Sequence, residues 1–128
     1  MHLMEIRKAT SADFPAITGI IARFPDTLIQ VHLPEPEEFF VAEENGTIVA
    51  CCALEVYSQR LAEVRSLAVL PEHQGKSIAT QLVARCLKEA KTRNVYEVLT
   101  ITGATSLFEK QGFGAFNKEK FALIKIID

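Results

Sequence analysis

Between an apolar run and a long amphipathic pattern lies Gln74-Gly75-Lys76-Ser77-Ile78-Ala79, and this junction constrains the fold more than any other stretch. Upstream, Val64 to Leu70 reads as a buried strand that Pro71 and Glu72 break. Downstream, Ile78, Leu82, Val83, Cys86, Leu87 and Ala90 recur on one face of a helix. A short glycine-bearing loop that opens onto a helix aims unpaired backbone N–H groups outward at the positive end of the helix dipole. Such a nest suits a phosphate or diphosphate. The alternative is an ordinary strand–turn–helix connection. The loop is not a P-loop, because no glycine stands five residues before Gly75, and it lacks the three-glycine dinucleotide fingerprint.

A length of 128 residues suits one domain over 1–128, long enough to bury a real core. With 48% hydrophobic and 23% charged residues, the composition is that of a soluble globular protein. A net charge of -2 gives no electrostatic case for nucleic acid or an anionic membrane. No apolar run approaches about eighteen residues and no basic-then-apolar leader opens the chain, so a cytoplasmic protein is expected. Cys51, Cys52 and Cys86 show neither CxxC spacing nor a neighbouring His cluster, which argues against a metal site. Adjacent strand residues point to opposite faces, so Cys51 and Cys52 do not pair, and buried reduced thiols are expected.

Residues 4–8 predict a first strand, after which Thr10 or Ser11 caps a helix carrying Phe14, Ile17, Ile20 and Ile21. From Pro25 to Pro36 the periodicity fails, and Leu33-Pro34-Glu35-Pro36 argues for a loop or a short helical turn. Residues 39–43 and 47–57 read as strands joined through Asn45-Gly46, both tolerant of positive φ. A strand over 60–70 follows through a Ser58-Gln59 turn. Beyond a helix over 75–93, residues 95–101 read as another buried strand. A short helix starting at Gly103 or Thr105 runs to Lys110, and Gly112 ends it as a left-handed cap. Strands over 113–116 and 121–127, joined by a polar turn at 117–120, are expected to close the sheet. Hairpins first and strand–helix–strand units after them imply an α+β fold, a mixed sheet packed by helices.

The run from Val64 to Ala79 resembles the acetyl-CoA-binding motif of the GNAT N-acetyltransferase superfamily. That motif is an apolar strand ending near Pro, then Arg or Gln, Gly, any residue, Gly or Ala, an apolar residue, and Gly or Ala. Leu107-Phe108-Glu109-Lys110-Gln111-Gly112-Phe113 is similar to the family's second signature, aromatic-Glu-Lys-x-Gly-Phe. The resemblance spans nearly the whole chain, from Ile6-Arg7-Lys8-Ala9-Thr10 onward, and looks closest to compact members related to N-acetylglutamate synthase. It implies a mixed, mostly antiparallel sheet whose central strands, here 63–70 and 95–101, splay into a V for the pantetheine arm. It further implies acetyl-CoA as co-substrate and direct acetyl transfer to the amine of a small molecule or amino acid. Homodimers, common in the family, are implied as well, with 121–127 as the strand that would cross over.

By that resemblance, the backbone of Leu67, Ala68 and Val69 holds the pantetheine amides, and one of these N–H groups polarises the acetyl carbonyl. Gln74 and the amides of Gly75, Lys76, Ser77, Ile78, Ala79 and Thr80 would cradle the diphosphate. Ser77 and Ala79 replace the family's second and third glycines; Ser77 either crowds the phosphate or donates a compensating hydrogen bond. Lys76 adds a charge contact or, the favoured reading, is solvated. Glu63 is the implied base for the acceptor amine, or else an ordinary ion-pair partner of Arg65 on the same strand face. Arg65 in turn binds an acceptor carboxylate or merely neutralises Glu63. Phe108 stands where many members carry a Tyr that protonates the departing thiolate; it cannot do so and would pack beside the cofactor. His73 reads as an exposed turn residue. The 25–36 segment has little room for a substrate-facing helix, which implies an open acceptor side. Two rival readings are a non-catalytic acyl-CoA-binding or regulatory module, and acetylation of a protein N-terminus or lysine, hinted at by Glu35, Glu37 and Glu38 alone.

Overall fold

A computed structural model describes residues 3–115 and 123–127. One sheet has the order β1-β2-β3-β4-β5, from β1 (Met4–Lys8), β2 (Phe39–Glu44), β3 (Thr47–Val56), β4 (Leu61–Val69) and β5 (Glu97–Thr100). Antiparallel pairing joins β1 to β2, β2 to β3 and β3 to β4, whereas β5 lies parallel to β4. The helices are α1 (Phe14–Ile21), α2 (Ile78–Thr92) and α3 (Thr105–Glu109). This is the expected mixed, mostly antiparallel architecture.

Both faces of the sheet are covered. On one, Phe40, Ala50, Cys52, Leu54 and Val64 pack against Ile78, Leu82, Val83 and Cys86 of α2. On the other, Ile17, Ile20 and Ile21 of α1 pack on Phe39, Val41, Cys51, Ala53 and Ala68. A central strand buried on two sides reads as a continuous apolar run, which explains the unbroken Val49 to Leu54 stretch of β3. Cys51 and Cys52 fall on opposite faces, and all three cysteines are buried and free. The Sγ atoms of Cys52 and Cys86 meet at 3.7 Å where α2 crosses the sheet. At the entry to α1, the Arg7 guanidinium grips Asp13 at 2.8 and 3.0 Å and Glu43 at 2.9 Å. The Thr10 N–H also donates to Asp13, at 2.8 Å.

Element boundaries depart from expectation where the backbone turns left-handed. Asn45 (φ 51°) and Gly46 (φ 84°) make the expected hairpin. Helix α2 starts at Ile78 rather than Gly75, because Gly75 (φ 81°) and Ser77 (φ 65°) hold the preceding loop open. It ends at Thr92, and just beyond its C-cap Asn94 turns left-handed (φ 58°) and the Val95 N–H returns to the Ala90 carbonyl at 3.0 Å, so β5 starts only at Glu97. Gly112 (φ 95°) caps α3 as expected. Phe113 does not open a strand: its N–H donates to the Phe108 carbonyl at 3.2 Å and its ring packs edge-on to Phe108 at 5.3 Å. Residues 113–115 and 123–127 carry no strand, and 116–122, with the rest of the expected closing strands and their turn, lie outside the described residues.

Candidate active site

Leu61, Ala62, Glu63 and Val64 of β4 pair in turn with Glu97, Val98, Leu99 and Thr100 of β5. There the ladder stops. The Thr100 hydroxyl donates to the Val64 carbonyl at 3.0 Å and closes the last rung, while β4 runs on to Val69 without β5 beside it. This parting of the strands is the expected V. Immediately past it, Ser66 takes φ 58° and the β3–β4 register slips, so that Ser66 and Leu67 together oppose Cys52. Such a bulge re-aims the backbone groups of the longer strand. Between the separated strands lies a cavity of about 530 Å³, walled by Val64, Arg65, Ser66, Leu67, Thr100, Thr102 and Phe108. Thr27 and Leu28, from the loop after α1, line it too.

A second hollow, of about 110 Å³, sits at the mouth of α2 against Val69, Gln74, Gly75, Ser77, Ile78, Ala79 and Thr80. The Gln74 side-chain amide donates to the Val69 carbonyl at 3.0 Å and fastens the loop to the end of β4. Lys76 is absent from that lining: its Nζ lies 3.4 Å from Glu44 Oε1. Glu44 is only 7% exposed, and His73 Nδ1 stands 3.5 Å from the same oxygen. Lys76 is therefore not simply solvated, and His73 is not an exposed turn residue. A carboxylate taken out of water needs a positive partner, and the Lys76 ammonium folds back to supply one, with the His73 ring packed beside it.

Glu55 of β3 lies directly opposite Glu63 of β4. Two like charges at that separation repel. Their neighbours offset this: Arg65 Nη1 meets Glu55 Oε1 at 2.5 Å, and the Tyr57 hydroxyl donates to Glu63 at 2.5 Å, with Glu55 3.2 Å away. Arg65 Nη2 also donates to the His32 carbonyl at 3.2 Å. Arg65 thus pairs across the strands with Glu55 rather than along its own strand with Glu63, since register places Glu55 diagonal to it. Burial, and then the hydrogen bond to Glu63, push the Tyr57 hydroxyl well above the usual tyrosine range. Arg65 lines the large cavity; Glu63 lies two residues back along the strand and outside that lining. Glu44, Glu55, Thr27, Leu28 and Thr100 went unseen in the sequence. Only Glu55 carried a signal, an acid inside the apolar run of β3. Among the described residues, no helix is long and apolar enough to cross a membrane, and no His/Cys/Asp/Glu group is arranged to hold a metal.

The model of the acetyltransferase (GNAT) family matches residues 3–113. An uncharacterized N-acetyltransferase of Chlorobaculum tepidum is 33% identical over 122 residues, 91% of this chain and 79% of that protein. An amino-acid acetyltransferase of Mycobacterium tuberculosis is 33% identical over 116 residues, 84% of this chain and 67% of that protein. A crystal structure of a Mycobacterium tuberculosis protein in complex with CoA and NLQ superposes with a TM-score of 0.83 at 30% identity, covering 88% of this chain and 73% of that one. A parted pair of central strands, a left-handed loop at a helix mouth and a family match over nearly all the described residues agree: this chain belongs to the acetyltransferase (GNAT) family.

Proposed function

We propose that this chain transfers the acetyl group of acetyl-CoA to the amine of an amino acid or similar small molecule. The observation that carries the reading is the succession of two hollows along β4. The cavity where β4 leaves β5 reaches Leu67, and the hollow at the mouth of α2 starts at Val69, beside a loop in which Gly75 and Ser77 are both left-handed. The pantetheine arm would pair with the free side of β4, and the diphosphate would take the amides of Gly75 to Thr80. Gln74 contributes by holding that loop in place through Val69. Phe108, buried and on the cavity wall, would pack beside the cofactor.

Glu63 is the group we assign to accept the proton of the acceptor amine as nitrogen attacks the thioester carbon. The C–S bond then breaks and the electron pair leaves on sulfur, which needs little help because a thiol is a good leaving group. Arg65 would bind an acceptor carboxylate in exchange for part of its contact with Glu55. A single cytoplasmic domain that pairs with a second copy completes the proposal. Two relatives named as amino-acid acetyltransferases support the acceptor class, one of them covered by this chain over only 27% of its length.

Calorimetry with CoA, acetyl-CoA and adenosine tests the cofactor site; thiol release against a panel of L-amino acids tests turnover. CoA binding no stronger than adenosine binding would overturn the proposal. A second reading, a non-catalytic acyl-CoA-binding module, draws on Phe108 having no acidic hydroxyl. It predicts tight CoA binding with no thiol release, and no effect of Glu63→Gln on either.

A further inference from the structure

We propose that Gln30 is a positioning residue that builds the acceptor wall of the large cavity. Helix α1 ends at Ile21 and leaves its last carbonyls without helical partners. The chain then coils tightly, with Phe24 N–H on the Ile21 carbonyl at 3.0 Å and Leu28 N–H on the Phe24 carbonyl at 3.0 Å. Into this coil the Gln30 side-chain amide donates to the carbonyls of Ile21 at 3.0 Å, Leu28 at 3.1 Å and Phe24 at 3.3 Å. One amide carries two N–H groups, so one of them is shared between two carbonyls. Beyond it, Arg65 holds the His32 carbonyl at 3.2 Å and docks the far end of the loop on β4. Thr27 and Leu28, between these two clamps, are the loop residues that face the cavity.

Phe24 and Leu28 rest partly buried on the α1-side core, but Ile29 and Val31 beyond them are 65% and 63% exposed. The course of the chain from Leu28 onward is fixed by the polar clamp in addition to that packing. The acceptor wall is therefore set in part by a side chain that does not itself line the cavity. This inference rests on the acetyltransferase reading for its functional consequence, though not for the clamp itself.

The test compares the wild type with Gln30→Ala and Gln30→Glu, the second being equal in shape but without N–H donors. Acetyl-CoA is the donor, L-glutamate and L-glutamine are the acceptor probes, CoA affinity is read by calorimetry, and amide exchange is followed over residues 24–31. Both variants should raise acceptor KM by about tenfold while kcat stays within about twofold. CoA affinity should not change, and exchange should quicken over 24–31 alone. Unchanged acceptor KM, unchanged exchange over that segment, or a parallel loss of CoA affinity would each overturn the proposal. A wild type that fails to bind CoA strikes at the acetyltransferase reading instead, and the exchange comparison still decides whether Gln30 clamps the loop.

Discussion

Replacing Ser77 by glycine is expected to raise the melting temperature, although it removes atoms from a folded loop. Ser77 sits at φ 65°, ψ 17° immediately before α2. For an L-residue with a Cβ, that conformation costs roughly 1–2 kcal/mol. Glycine escapes the clash but gains freedom in the unfolded chain, which returns about 0.5–1 kcal/mol. The Ser77 side chain makes no helix-cap hydrogen bond, so no such bond is lost with it. The net gain is about 0.5–1 kcal/mol, or a Tm rise of about 2–5 °C for a domain of this size. The converse variant is Gly75→Ala. Gly75 has φ 81° and no heavy atom within 4 Å of an added Cβ, so its loss is conformational alone, about 1 kcal/mol in the other direction. Scanning calorimetry of the three proteins, with CoA titrations alongside, reads both signs. Should Ser77→Gly melt below the wild type while Gly75→Ala melts with it, the left-handed loop is not the ground state. The anion nest then falls with it.

Glu63→Gln removes a charged acceptor from the Tyr57 hydroxyl, so ultraviolet titration should find that tyrosine ionising at lower pH than in the wild type. An unmoved tyrosinate curve would refute the pairing. Arg7, and then the Thr10 N–H, hold the Asp13 carboxyl well below the usual aspartate range. A depressed pKa contributes stability above the unfolded-chain value and loses it as pH falls through the folded one. Asp13→Asn should therefore lower Tm at neutral pH and flatten its decline below about pH 4, read by thermal melts across acid buffers. Burial pushes the Cys51 thiol up to about 12, and Cys52 and Cys86 are buried as well. A thiol reagent at pH 8 should find no fast-reacting cysteine until denaturant is added, and a rapid native burst would contradict this packing. Arg65→Lys cannot serve Glu55 and the His32 carbonyl through a two-pronged head, and acceptor KM should rise with CoA affinity intact. Steady-state assays at saturating acetyl-CoA decide it.

What could be read from the residues was what local chemistry fixes. Asn45-Gly46 announces its hairpin because few residues accept φ of that sign, and α2 declares itself by a sustained stripe from Ile78 to Ala90. The family motifs drew attention to the loop at Gln74 and to the strand before it. Ser66 hid the bulge, since serine gives no hint of a left-handed backbone. The partner of Arg65 depends on which residue of β3 the register brings alongside, a fact of pairing rather than of spacing along one strand. Gln30 was invisible for a similar reason. Its carbonyl partners, Ile21, Phe24 and Leu28, come to one point only once the chain has coiled. Glu44, beneath Lys76 and His73, looked like a hairpin end until folding buried it.

The extra residue at Ser66 leaves β4 with two halves out of phase. Before it, the even-numbered Ala62 and Val64 lie on the α2 side; after it, the odd-numbered Val69 does, and Ala68 lies on the side of α1. A two-residue alternation carried straight through would assign the second half to the wrong layer. Deleting Ser66 would thus not invert the strand: with Leu67 directly after Arg65, plain alternation leaves Leu67 and Val69 on the α2 side and Ala68 on that of α1. What would vanish is the bulge itself, and with it the re-aimed backbone at the point where β4 parts from β5.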